Sequence, residues 1–223
     1  MMHNFTYISK RDKRVKEAYR EIIMLINEIH KEVKEFIFQT EVVGSYKRNM
    51  ITYDKKSNIG FDFDFNIILN ENALDYKPKM IKERLIQAFN KKANKYGFDT
   101  VENSTRVITL KKIDRKKSKI IYSCDFAIVY DYIDENDFEC QEYIRFNKKS
   151  NTYQWCEQSE GFFMLPEKIE WLKNNDNPEE IWQELRTLYI EKKNKNDNPD
   201  IHSRQILAIV VHEMCQIYGY YSE

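Results

Sequence analysis

The sequence has no apolar run of the roughly 18 residues that cross a lipid bilayer. Its longest apolar run spans only residues 206–211. The N-terminal residues carry charges where a secretory signal peptide has an apolar core. These absences argue against a membrane partner, and we expect a cytoplasmic protein.

Glycine and proline are scarce, with five and four residues among 223, and no low-complexity segment is present. Hydrophobic residues make up 42% and aromatic residues 14%, which excludes a disordered chain. Net charge is absent too, because 36 basic residues balance 36 acidic ones. Any contact with a polyanion must therefore come from a local patch of charge.

Several motifs that carry chemistry in other proteins are missing. The four cysteines show no C-x-x-C spacing, so we read Cys124, Cys140, Cys156 and Cys215 as reduced thiols, the first and last of them buried. The pair at 212–213 lacks the second histidine of a zinc protease motif, since Gln216 stands there. Neither a serine-hydrolase elbow nor a P-loop occurs.

What the sequence does have is an unusual stretch at 41–70. An apolar run ends in Gly44-Ser45, and after a polar loop a strand-like run places Asp62, Asp64 and Asn66 at every second position. Alternate side chains of a strand share a face, so the two carboxylates should lie together, opposite a face of phenylalanines. Paired carboxylates repel unless a cation lies between them, which favours a hard metal such as Mg²⁺.

A third acidic residue, Asp125, stands in the middle of the apolar run at 119–130. An unpartnered carboxylate would be costly to bury there. We therefore interpret Asp125 as part of the same site, although an edge-strand aspartate facing water is the plainer alternative. Asp131 and Asp134 are weaker candidates because they fall where the strand should end.

Periodicity predicts the surrounding elements. Helices are predicted over 12–37, 78–96, 178–193 and 200–218, and strands over 40–43, 105–110 and 119–130, with a second hairpin at 141–147 and 152–158. Together they predict an α/β (α+β) fold in which helices flank a mixed sheet. We place a catalytic domain at 1–160 and a helical C-terminal part at 161–223, packed against it.

The pattern Gly44-Ser45, then Asp62-x-Asp64, then Asp125 resembles the signature of the DNA polymerase β-like nucleotidyltransferase superfamily. The resemblance implies a magnesium- or manganese-dependent transferase that moves a nucleoside monophosphate from an NTP, such as ATP, to an acceptor hydroxyl and releases pyrophosphate. It implies that Asp62, Asp64 and Asp125 are the catalytic residues and hold two metal ions. Gly44 and Ser45 would approach the nucleotide phosphates through backbone N–H groups and a hydroxyl, helped by Lys47 or Arg48.

The acceptor stays open, because superfamily members modify RNA, proteins, small molecules or a second nucleotide. The basic segment 111–119 is either a solvated hairpin tip or a patch that binds a polyanion such as RNA. Two alternatives to an enzyme remain. One is an inactive nucleotide-binding or regulatory domain of the same fold, and the other is an unrelated α/β protein with acidic surface residues.

Overall fold

The first long helix, α1 (Lys13–Glu32), follows a short strand β1 (Phe5–Tyr7). The Asp12 carboxylate begins it by accepting a hydrogen bond from the Arg14 backbone N–H at 2.9 Å. Its apolar stripe, with Val15, Ile22 and Ile29, is buried. The predicted helix to residue 37 is too long, because Val33 is already extended and the chain enters strand β2 (Phe38–Val43).

This is a computed structural model, and it describes residues 3–54, 56 and 60–221. The chain divides into two compact units. The sheet unit comprises Tyr7–Tyr53 and Asn58–Gln158, and the helical unit comprises Met1–Thr6, Asp54–Ser57 and Ser159–Glu223. Each unit has buried apolar residues of its own.

The remaining elements of the sheet unit follow in chain order. A one-turn helix α2 (Gly44–Lys47) and a short strand β3 (Thr52–Asp54) lead to strand β4 (Phe61–Leu69). Helix α3 (Pro78–Lys92) continues as a 3-10 turn, Ala93–Tyr96, that ends at Gly97, close to the predicted 78–96. Five further strands follow: β5 (Thr100–Asn103), β6 (Val107–Asp114), β7 (Lys119–Ile133), β8 (Glu139–Asn147) and β9 (Thr152–Glu157).

Seven strands of the described chain form one mixed sheet. Its main order is β2-β4-β7-β6-β5, and β8 joins β7 to β9. Strands β4 and β7 run parallel, whereas the other neighbours in this sheet are antiparallel. The chain therefore pairs with β4 again only at β7. The connection between these two parallel strands contains α3, β5 and β6. The predicted α+β class with a mixed sheet flanked by helices is confirmed, while β5 was not predicted.

The two faces of β4 differ as the alternation predicts. Phe61, Phe63 and Phe65 are buried on one face, and Asp62 on the other is exposed. The phenylalanine face shares one apolar core with the stripes of α1 and α3 and with Phe126 of β7. The sheet therefore has a dry face under two helices and a polar face that carries the carboxylates.

The helical unit contains α4 (Glu160–Lys173), α5 (Pro178–Lys195) and α6 (Ser203–Tyr218), which contact one another. Helix α4 has Pro166 inside it, and we predicted only general helical character there. Asn194 of α5 binds the start of the chain, accepting from the Phe5 N–H at 2.6 Å and donating to its carbonyl at 3.1 Å. None of the described helices is long and apolar enough to span a membrane.

All four cysteines are free thiols, with Cys124 and Cys215 buried as predicted. His202 is the N-cap of α6 and forms a capping box with Gln205. These residues therefore serve the fold.

Substitutions on the two faces of β7 should affect stability very differently. Phe126 is fully buried, so Phe126→Ala should reduce the free energy of unfolding by about 3–5 kcal/mol. Ile121 on the opposite face is 41% exposed, and Ile121→Ala should stay within about 0.5 kcal/mol. Chemical denaturation of both variants checks this, and equal losses would contradict the assignment of the two faces.

Candidate active site

Parallel strands β4 and β7 bring the three predicted carboxylates together. In their register Asp64 lies directly beside Asp125, and Asp62 lies beside Ser123. All three carboxylates lie on the polar face. Asp62 and Asp64 are two residues apart along β4, and Asp64 and Asp125 are side by side on β4 and β7. The grouping of Asp62, Asp64 and Asp125 expected from the sequence is thus present in the structure.

Gly44 allows the turn after β2 to lie against Asp64. Its φ of +65° is in the left-handed region that favours glycine. A Cβ on Gly44 would collide with the Asp64 carboxylate, coming within 2.6 Å of its Cγ. The adjacent Ser45 backbone N–H donates a hydrogen bond to Asp64, so this group serves the carboxylate, whereas we expected it to face phosphates.

Each of the other two carboxylates accepts a hydrogen bond from a hydroxyl on a neighbouring strand. The Ser123 hydroxyl of β7 donates to Asp62 Oδ1. The Thr109 hydroxyl of β6 donates to Asp125 Oδ1 at 2.6 Å. Every member of the carboxylate cluster therefore has its own donor.

Burial and mutual repulsion raise the pKa values of Asp64 and Asp125, so these two carboxyl groups hold protons more tightly than usual. Burial, followed by the charges of Asp125 and Asp62, raises the pKa of Asp64 to about 6, against the opposing effect of Arg48. The pKa of Asp125 is also raised, first by burial and then by the charge of Asp62, while the Thr109 hydrogen bond and the charge of Lys111 lower it. A positive charge placed among them would relieve this repulsion.

The donor set fits a hard divalent cation, since it supplies only carboxylate and hydroxyl oxygens. Across the described ranges no three acidic, histidine or cysteine side chains already converge as a metal site. Asp62 and Asp125 each direct one oxygen to a hydroxyl of the neighbouring strand. Asp62, Asp64 and Asp125 are the residues that would hold an ion.

The two basic residues after Ser45 differ in their surroundings. Lys47 is exposed and forms an ion pair with Glu41 at 2.6 Å. Arg48 is half-buried, and its charge acts on Asp64. Between the two residues offered for phosphate contact, Arg48 is the one that the fold associates with the carboxylates.

Asp131 and Asp134 lie outside the cluster. Asp131 accepts a hydrogen bond from the Gln141 side chain on β8, and Asp134 accepts backbone N–H groups of the β7–β8 turn. Both therefore have local structural roles.

The basic segment 111–119 forms the β6–β7 hairpin tip and its flanks. Four of its six basic side chains form ion pairs, namely Lys111 with Glu102, Lys112 with Glu21, Arg115 with Asp99 and Lys117 with Asp114. Most of the positive charge is thus neutralised within the fold, which favours the interpretation as a solvated hairpin.

Sequence reasoning missed Thr109 and the role of Ser123. Neither belongs to a motif, and a threonine in a strand is ordinary. The antiparallel pairing of β6 with β7 would have placed Thr109 opposite Asp125, but the register needed for that was not readable from the sequence.

No protein-family profile matches the chain, and no curated protein matches it in sequence. Solved structures do match. The STING-associated CdnE c-di-GMP synthase from Capnocytophaga granulosa is similar over 97% of this chain and 64% of its own, with a TM-score of 0.57 at 15% identity. The Rhodothermus marinus CdnE c-UMP-AMP synthase with Apcpp and Upnpp matches over 92% and 71%, with a TM-score of 0.57 at 11% identity.

The Elizabethkingia meningoseptica CdnE cyclic dinucleotide synthase with GTP and Apcpp is also similar, over 92% of this chain and 70% of its own, with a TM-score of 0.53 at 14% identity. At 11–15% identity the likeness shows the fold. The chain spans 64–71% of their lengths, so each neighbour has further segments without a counterpart here.

The raised pKa of Asp64 gives a pH dependence with a defined sign. A carboxyl that binds its proton more tightly when folded favours folding most at pH below about 4, and that contribution is lost as pH rises through about 6. Asp64→Asn should therefore gain stability relative to the wild type by on the order of 2 kcal/mol between pH 4 and 7, in the presence of EDTA.

Denaturant unfolding of both proteins at several pH values measures this difference. Asp131→Asn, a substitution at an exposed position of the neighbouring strand β7, is the control and should show no such trend. A difference between Asp64→Asn and wild type that does not change with pH would mean that Asp64 is not held against its neighbours' charges.

Proposed function

We propose that the chain is a nucleotidyltransferase that moves a nucleoside monophosphate from an NTP to an acceptor hydroxyl and releases pyrophosphate. The observation that carries the proposal is the side-by-side placement of Asp64 and Asp125 on parallel strands, with Asp62 on the same face and the Gly44-Ser45 turn against Asp64. The shared fold with nucleotide-using synthases supports it.

The carboxylates have separate roles in this proposal. Asp62 and Asp64 would hold both ions, one of which would bind the triphosphate. Asp125 would hold the other ion, orient the acceptor hydroxyl and help to remove its proton. Two Mg²⁺ or Mn²⁺ ions, when bound, would neutralise the charge that develops on the attacking and leaving oxygens. The acceptor oxygen forms the new bond to the α-phosphorus as the bond to the pyrophosphate oxygen breaks.

Ser45 and Arg48 would contact the phosphates that leave. The Ser45 hydroxyl has no hydrogen-bond partner within the described residues, although its backbone N–H is used by Asp64. Arg48 lies on the same turn and brings positive charge beside the carboxylates. Lys47 is the weaker choice, because Glu41 already pairs with it.

A second nucleotide is the acceptor that we favour over RNA, a protein or a small molecule. Two of the similar structures hold a pair of nucleotides or nucleotide analogues, GTP with Apcpp and Apcpp with Upnpp. The ion pairs across 111–119 weaken the case for an RNA-binding patch. We further propose that 1–160 form the catalytic domain and 161–223 a helical part, and that the protein acts in the cytoplasm, where NTPs and Mg²⁺ are abundant.

Incubation with each α-labelled NTP, alone and in pairs with unlabelled NTPs, tests the activity and the acceptor together. Label should move into a dinucleotide or cyclic product with Mg²⁺ or Mn²⁺ present and should not move with EDTA. Asp64→Asn and Asp125→Asn should each lower transfer at least about 100-fold, because they remove charge at the reacting centre. Asp131→Asn should keep wild-type activity.

NTP binding without transfer would instead support the inactive nucleotide-binding domain of the same fold. Absence of both binding and transfer would support an unrelated α/β protein. Equal loss of activity in Asp131→Asn and Asp125→Asn would contradict the assigned site.

Ser45→Ala should weaken NTP affinity more than it lowers turnover, because the hydroxyl would contact phosphates that do not change bonding at the α-phosphorus. Loss of one hydrogen bond to a charged oxygen is expected to cost on the order of 1.5–3 kcal/mol, which is about 10- to 100-fold in the dissociation constant. Equilibrium NTP titration with Ca²⁺, which supports binding without turnover, measures it. An unchanged affinity would remove Ser45 from the phosphate site.

A further inference from the structure

Asp125 is held at one oxygen only. Its Oδ1 accepts the Thr109 hydroxyl at 2.6 Å, while Oδ2 accepts no hydrogen bond from any residue that the structure describes. The terminal torsion of an aspartate is broad, so a carboxylate without a partner samples many orientations. The short hydrogen bond from Thr109 to the ionised Asp125 fixes the plane of the carboxylate and leaves Oδ2 pointing away from Thr109.

Thr109 is placed for this by the sheet. It lies directly opposite Asp125 in the antiparallel register of β6 and β7, so both side chains stand on the polar face. As a β-branched residue it has few rotamers, which limits where its hydroxyl can point. The contact therefore follows from strand pairing together with side-chain stiffness.

A second layer of contacts holds Thr109 in turn. Its hydroxyl lies 3.4 Å from the Ser104 hydroxyl in the β5–β6 turn, and because its own hydrogen goes to Asp125, Ser104 is the donor between the two. The Ser104 carbonyl accepts a hydrogen bond from Lys82 Nζ at 2.7 Å. Lys82 belongs to α3 and is fully buried, so the turn is tied to the helix beneath the sheet.

We propose that Thr109 is a positioning residue for the transfer reaction: it fixes Asp125 with one oxygen free, and Ser104 and Lys82 hold it in place. This inference rests on the function proposed above, because it assigns to Thr109 the alignment of the group that orients the acceptor. The like charge of Asp62 and Asp64 would otherwise turn the Asp125 carboxylate away from the cluster. Thr109 keeps it beside them.

The test compares Thr109→Val, which keeps the shape and removes the hydroxyl, with Thr109→Ser, which restores the hydroxyl. The matched control is Thr100→Val in the neighbouring strand β5, since the Thr100 hydroxyl is buried without a hydrogen-bond partner among the described residues. Four quantities are measured: kcat, the KM for NTP, the affinity for Mn²⁺ without nucleotide by electron paramagnetic resonance, and Tm.

Thr109→Val should lower kcat about 10- to 100-fold and weaken Mn²⁺ binding by a similar factor, the usual effect of removing a residue that orients a metal ligand. The KM for NTP should change less than about threefold, because Asp62, Asp64 and Ser45 hold the donor nucleotide. Thr109→Ser should recover most of both losses. Thr100→Val should match the wild type.

Unchanged kcat and Mn²⁺ affinity in Thr109→Val would overturn the proposal. So would a parallel loss of Tm, kcat and NTP affinity that Thr109→Ser fails to recover, since that describes a structural residue. If the wild type transfers no label but binds Mn²⁺, and Thr109→Val weakens that binding with recovery in Thr109→Ser, the positioning role stands and the proposed reaction fails. A wild type that neither transfers label nor binds Mn²⁺ would overturn both.

Discussion

Electrostatic repulsion among the carboxylates of Asp62, Asp64 and Asp125 is the constraint that the sheet unit must satisfy. Two of these carboxylates lie side by side on adjacent strands, and burial raises the pKa of both. The fold offsets part of this cost with one hydrogen-bond donor for each carboxylate, from Ser123, the Ser45 backbone and Thr109. What remains uncompensated is negative charge, and a bound cation would relieve it.

Apolar packing on the opposite face of the sheet provides the stability that offsets the cost of the carboxylate cluster. Phe61, Phe63 and Phe65 lie between the carboxylates along β4 and are buried in the core with α1 and α3. Their burial fixes which face of β4 is polar, because a one-residue slip would exchange the two faces. Close packing also limits which side chains fit next to β7. A Cβ on Gly60, for example, would lie 2.7 Å from the Ile120 carbonyl oxygen.

The fold is similar to that of cyclic dinucleotide synthases although only 11–15% of the residues are identical. What the chains share is backbone geometry. In this chain that geometry is held by an apolar face packed in the core, and most positions need only be apolar on one face and polar on the other. A fold of this kind can therefore persist while most of its sequence changes.

The sequence alone determined what depends on local geometry. Side chains alternate with a period of two in any strand, so residues 61–69 were predictable as a phenylalanine face and an aspartate face, and the helices followed from their periodic apolar stripes. The C-terminal end of α1 and the existence of β5 were not predictable, because pairing across the sheet overrides local preference there. Only the tertiary structure decided that Asp64 lies beside Asp125, that Gly44 touches Asp64, and that Thr109 and Ser123 are the donors. Those contacts join residues far apart in the chain, and the register that creates them is set by packing of the whole core rather than by any neighbouring residues.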